Sequence, residues 1–155
     1  MFRKIQHEMN KKACIFDLDG TLLNTLDDIA DSANNALSQL DFPTHPTESY
    51  REFVGDGLGV LFKRICPYGT TKSIVQEGCD RFEKEYNKRW NKKTKVYQGI
   101  TQCLKSLCER GTFLAVLSNK PDVFVDHIIH SFFPTINFHY CFGKQENIPK
   151  KPATE

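Results

Sequence analysis

The run Ala13-Cys14-Ile15-Phe16-Asp17-Leu18-Asp19-Gly20-Thr21-Leu22 decides the reading of this chain. Four apolar residues give way at once to two acids, a glycine and a threonine, the pattern of a buried strand stopped by a polar loop. Asp17 and Asp19 stand two positions apart, so in extended chain their side chains leave on the same side. No lysine or arginine separates them, and the acidic pocket they form suits a hard divalent cation such as magnesium.

Working outward, Leu26, Ile29, Ala33, Leu37 and Leu40 recur at helical spacing behind Asn24 or Thr25 as a capping residue, with Asp27 and Asp28 in the favourable first turn. Pro43 and Pro46 break that helix. A short helical stretch follows around residues 50–54, and Gly55-Asp56-Gly57 interrupts the chain as a hinge or close-approach loop before Leu58, Leu61 and Ile65 resume the period. Val75, Cys79, Phe82, Tyr86 and Trp90 make one apolar stripe between Thr71 and Asn91, flanked by acid-before-base pairs such as Glu77/Arg81. Residues from about 25 to 95 are therefore expected to be helical throughout.

The pattern then changes. A helix from Ile100 to Glu109 ends at Gly111, and Thr112-Phe113-Leu114-Ala115-Val116-Leu117 is a continuous apolar run, typical of a strand buried on both faces of a parallel sheet. Ser118-Asn119-Lys120-Pro121-Asp122 closes it. Pro121 suits the first turn of a helix running to Phe132, and residues 138–142 form a third strand candidate. The fold class is α/β: a Rossmann-like parallel-sheet core, residues 1–24 and 96–155, with an inserted α-helical cap domain, residues 25–95. In such sheets ligands bind at the carboxyl ends of the strands, where both polar loops lie.

Asp17-Leu18-Asp19-Gly20-Thr21-Leu22 resembles the first signature of the haloacid dehalogenase-like hydrolases. Val116-Leu117-Ser118-Asn119-Lys120-Pro121 resembles the second, and Lys150-Lys151-Pro152 the third, in the right order. The resemblance implies a magnesium-dependent phosphatase that cleaves a small phosphate monoester through an aspartyl-phosphate. Asp17 would be the nucleophile and Asp19 the acid/base, both serving as metal ligands. Ser118 and Asn119 would contact phosphate, and Lys151, with Lys150 as the fallback, would neutralise it. Gly20 and Thr21 would shape the first loop. The dehalogenases that named the family lack an acid at the position of Asp19, so its presence points to phosphate chemistry. The helical insert is similar to the cap of the phosphoglycolate phosphatase-like branch, with Gly55 and Gly57 in the cap loop that dips toward substrate.

One part of the family pattern is missing. An acidic Gly-Asp segment carrying a further metal ligand is expected some twenty residues beyond Lys151, on a strand beside the one that ends in Asp17. The sequence stops at Glu155. An omitted tail, a truncation, or a natural fragment that completes its sheet with another chain would each explain this. Taken as the whole protein, the chain is expected to bind magnesium weakly, turn over little and tend to aggregate or to form a homodimer through an open strand edge. A catalytically silent fragment that binds phosphate or a partner is the alternative, and a phosphomutase or pyrophosphatase could use the same two acids.

Charge and composition exclude other classes. The formal net charge is +2 with both signs interspersed, so no field recruits nucleic acid or an anionic membrane. The first twelve residues hold no apolar run, and a cytoplasmic location follows. Six cysteines are scattered without a Cys-x-x-Cys pair, which reads as reduced core filler. His127 and His130 have no completing ligand and read as ordinary core or surface histidines.

Overall fold

The computed structural model describes residues 12–145 and 148–153. Three parallel strands form the main sheet in the order β1 (Ala13–Phe16), β4 (Phe113–Pro121), β5 (Tyr140–Lys144). Between β1 and β4 come α1 (Leu26–Ser38), a single 3₁₀ turn (Thr47–Ser49), α2 (Tyr50–Phe53), α3 (Leu58–Ile65), α4 (Lys72–Arg89) and α5 (Ile100–Glu109), and α6 (Asp122–Phe132) links β4 to β5. The mixed α/β architecture with a parallel sheet agrees with the sequence reading.

The helices follow their apolar periods. α1 packs on α4, and α3 on α4. Ile29, Ala33, Leu37, Phe62, Phe82 and Tyr86 are all buried between them. Gly78 of α4 lets Phe62 approach so closely that a Cβ there would lie 2.6 Å from its ring.

Two short strands that the sequence does not signal bracket the segment 25–95, whose regular elements are helical as expected. β2 (Leu23–Asn24) pairs antiparallel with β3 (Lys95–Val96), so the chain leaves the sheet and returns to it side by side. Asp28 reinforces this crossing. Its carboxylate is 1% exposed and accepts from the backbone N–H groups of Lys93 and Thr94 and from the Thr94 hydroxyl, at 2.8–3.1 Å. The first-turn acid of α1 is thus the anchor of the returning chain as well as a partner of the helix dipole.

β4 runs further than its apolar stretch. Leu117 pairs with Phe142 and Pro121 with Lys144, a register shift that places more residues on β4 than on β5. Such bulges re-aim side chains, and here Ser118, Asn119 and Lys120 are all buried. β5 begins two residues later than expected, because Phe138 turns away to pack against Phe133, ring centroids 5.9 Å apart. At the other end of β5, Gly143 passes so close beneath α6 that a Cβ would lie 2.4 Å from Asp122 Cα, and its N–H donates to Asp122 Oδ1 at 2.6 Å.

On the main sheet Ile15, Leu117, Tyr140 and Phe142 remain exposed, with the rings of Tyr140 and Phe142 stacked. Among the described residues β1 pairs on one side only, with β4. All six cysteines are free. No described helix is long and apolar enough to cross a membrane.

Candidate active site

The carboxyl ends of β1 and β4 meet over one cavity lined by Asp17, Asp19, Ser118, Asn119 and Lys120 from the sheet and by Val54, Gly55, Gly57 and Leu58 from the helical segment. Sequence-distant residues converge here because parallel neighbours end on the same side of a sheet.

Asp17 directly follows β1. Lys151 Nζ donates to its Oδ1 at 2.7 Å and to the Leu117 carbonyl at 2.7 Å. The other carboxylate oxygen of Asp17 has no partner among the described residues, and the side chain is 43% exposed. Lys151 and not Lys150 therefore reaches Asp17. Lys150 instead donates to the carbonyl of Asp56 at 3.2 Å.

Asp19 sits in the turn after β1, which Gly20 completes with φ of 80° and an N–H donated to the Leu23 carbonyl at 2.8 Å. Positive φ there favours glycine. Thr25 donates its hydroxyl to Asp19 Oδ1 at 2.8 Å. Lys120 Nζ donates to both oxygens of Asp19, at 2.9 and 3.1 Å. Burial acts to lower the Lys120 ammonium, and the Asp19 carboxylate with Tyr86 outweighs it, leaving the group above its ordinary range. Buried charges persist in this way only when paired.

The expected acidic pair is consequently not an open one. Each carboxylate is met by a lysine brought from far along the chain, and the Asp19 side chain has both oxygens engaged. Among the described residues no three acids, histidines or cysteines cluster as a metal cage. Magnesium nevertheless commonly takes only one or two carboxylates, with substrate phosphate and water completing its shell. The unpartnered oxygen of Asp17 fits that role, whereas the Asp19 carboxylate as placed does not offer one.

The remaining expected residues divide. Ser118 is buried in the cavity wall, its hydroxyl accepting from Lys120 N–H at 3.2 Å. Asn119 lines the cavity but its side chain is committed to the backbone: its amide donates to the Gly55 carbonyl at 2.9 Å, and its Oδ1 accepts from Lys151 N–H at 2.8 Å. It ties the glycine loop and the lysine segment to the end of β4. Gly57 stands against the same point, since a Cβ there would lie 3.2 Å from the Asn119 carbonyl oxygen. Gly55 and Gly57 both take positive φ, 120° and 85°. Asp56 between them pairs with Arg64, which holds its carboxyl below the usual range. Thr21 is exposed and does not line this cavity.

Three further residues contribute to the site beyond those its sequence motifs point to. Thr25, one of two capping candidates with Asn24, makes no side-chain cap bond and spends its hydroxyl on Asp19. Lys120 closes the apolar run of β4, and a lysine buried at the end of such a run is itself a signal. Tyr86 belongs to the apolar stripe of α4, and its ring lies 4.6 Å from the Lys120 ammonium.

The family model described as haloacid dehalogenase-like hydrolase matches residues 14–155. The chain belongs to the haloacid dehalogenase-like hydrolase family. It is 32% identical over 146 residues to a phosphoglycolate phosphatase of Pseudomonas syringae pv. tomato, covering 91% of this chain and 53% of that protein. To a phosphoglycolate phosphatase of Haemophilus influenzae it is 33% identical over 144 residues, covering 88% and 64%. The chain thus spans between half and two thirds of the length of these relatives. Its fold matches the crystal structure of a predicted phosphoglycolate phosphatase from Haemophilus somnus with a TM-score of 0.84 at 29% identity, over 92% of this chain and 66% of that one. A haloacid dehalogenase-like family hydrolase from Streptococcus pneumoniae shares the fold alone, with a TM-score of 0.75 at 19% identity, over 87% and 62%.

Proposed function

We propose that this chain carries the reaction centre of a magnesium-dependent phosphatase acting on a small phosphate monoester, with phosphoglycolate-like substrates favoured by the names of its relatives. The observation that carries the reading is Asp17. One of its oxygens is held by Lys151 at 2.7 Å, the other has no partner among the described residues, and Asp17 lines the shared cavity.

A carboxylate oxygen of Asp17 attacks phosphorus, the ester P–O bond breaks, and its electron pair leaves on the alcohol oxygen, which takes a proton from Asp19. Water then attacks the aspartyl-phosphate, gives its proton to Asp19, and the bond to Asp17 breaks to release inorganic phosphate. Lys151 lies where it can offset the phosphate charge during both displacements. Asp17 would hold the magnesium ion, which would supply further charge neutralisation. Residues 25–95 act in this reading as a cap, with the Gly55–Gly57 loop as the part that meets substrate.

The test is magnesium-dependent phosphate release from a panel of small monoesters by the chain and by Asp17→Asn. Release that disappears in the variant supports the mechanism. A second reading, phosphate binding without turnover, is favoured by the engagement of both Asp19 oxygens by Thr25 and Lys120. It predicts phosphate affinity with no release from either protein.

A further inference from the structure

A lysine buried in a protein core is costly unless a partner answers its charge and its donors. The side chain of Lys120 is 6% exposed and that of Asp19 14% exposed, and they meet through two hydrogen bonds. On its other side the ammonium faces the ring of Tyr86, an arrangement that adds cation–π attraction. Tyr86 is held in turn, stacked on Phe82 with centroids 5.3 Å apart and edge-on to Phe124 at 5.2 Å. The ammonium therefore lies between Tyr86 of α4 and Asp19 in the turn after β1.

The effect on Asp19 is a loss of freedom. Its Oδ1 accepts from Thr25 and Lys120, and its Oδ2 from Lys120. Asp17, with one lysine and a much more open side chain, has no such enclosure. Lys120 lines the cavity wall, but its donors point to Asp19.

We propose that Lys120 is a positioning residue that acts on the reaction through Asp19, fixing the proton-transfer carboxylate in one orientation beneath the aromatic cover supplied by Tyr86. This rests on the roles proposed above for Asp17 and Asp19. Misplacing a reacting group by about 1 Å costs on the order of 100-fold, and a positioned acid or base contributes roughly 100- to 10,000-fold.

The experiment measures kcat/KM, which reports the phosphorylation of Asp17, for an alkyl phosphate and for p-nitrophenyl phosphate, whose leaving group needs no proton. The proteins are wild type, Asp19→Asn, Lys120→Met and Asp19→Asn/Lys120→Met. The double variant removes both charges together, so it stays informative even where Lys120→Met alone does not fold. Expected is a loss of about 100-fold on the alkyl ester with a much smaller loss on the aryl ester. The double variant should fall within about threefold of Asp19→Asn, the mark of two residues acting as a unit. Equal losses on both esters, or a double variant far below Asp19→Asn, would overturn the proposal. Absence of Asp17-dependent release in the wild type would instead overturn the phosphatase reading. The placement of Asp19 is then decided by crystal structures of the full chain and its Lys120→Met variant: a carboxylate that leaves Thr25 supports positioning, and one that stays refutes it.

Discussion

Thr25 donates its hydroxyl to Asp19 Oδ1 across 2.8 Å while standing at the N-terminal boundary of α1, where the same hydroxyl could have capped the helix. The donor is 2% exposed, so water does not replace the bond if it is removed. Thr25→Val keeps the shape and leaves Asp19 one donor short. It should cost about 1–2 kcal/mol in urea unfolding, and Thr25→Ser should recover most of it. Equal stability of the valine variant and wild type would show that the bond has no weight.

Asp28 should be worth more. Removing a buried carboxylate strands the N–H groups of Lys93 and Thr94 together with the Thr94 hydroxyl. Asp28→Ala is expected to destabilise by about 3 kcal/mol, with Asp28→Asn between it and wild type. Denaturant midpoints at unchanged m-value would measure it, and a loss under about 0.5 kcal/mol would contradict the assignment.

Gly143→Ala tests the seating of α6. The new methyl would lie 2.4 Å from Asp122 Cα and 2.7 Å from the Lys120 carbonyl oxygen, both backbone contacts that cannot rotate away. A penalty of about 3 kcal/mol is expected. Gly57→Val is milder in crowding, with its Cβ 3.2 Å from the Asn119 carbonyl oxygen, but forces a β-branched residue to a φ of 85°. Its fold should survive while relative kcat/KM across a panel of monoesters changes; an unaltered panel would remove the loop from substrate selection.

Burial, with Asp80 and Glu83 nearby, pushes the Cys79 thiol from its ordinary 9.0 up to about 12. A folded thiol that resists ionisation favours the unfolded state once the unfolded thiol begins to ionise. Stability should therefore fall as pH rises from about 9 toward 12, and this contribution should be absent below that window. Cys79→Ala should flatten that fall relative to wild type. In mass-spectrometric alkylation the exposed Cys103 should react first and Cys79 among the last; early labelling of Cys79 would show that α4 does not stay seated on α3.

Much of the fold was legible because its period is local. α1, α3, α4 and α6 each carry an apolar stripe that points at a core. The two-residue strands β2 and β3 carry no period at all, so residues 23–24 and 95–96 gave no signal. The site was legible where chemistry concentrates in one loop, as in Asp17-Leu18-Asp19, and opaque where it depends on closure. Lys120 meets Asp19 from 101 positions away, and Lys151 meets Asp17 from 134. Spacing alone therefore suggested an open acidic pocket where the folded chain has two ion pairs. Thr25 shows the same limit, since a hydroxyl at a helix start reads as a cap until the partner it prefers is in place.

The double crossing at β2 and β3 has a mechanical consequence. Two adjacent filaments, paired to each other and laced by the carboxylate of Asp28, form a joint in which twisting about their common axis is softer than sliding or pulling apart. A single nick in one filament leaves the other still attached, so α1 to α4 and the main sheet should stay associated after one cut and separate only after two.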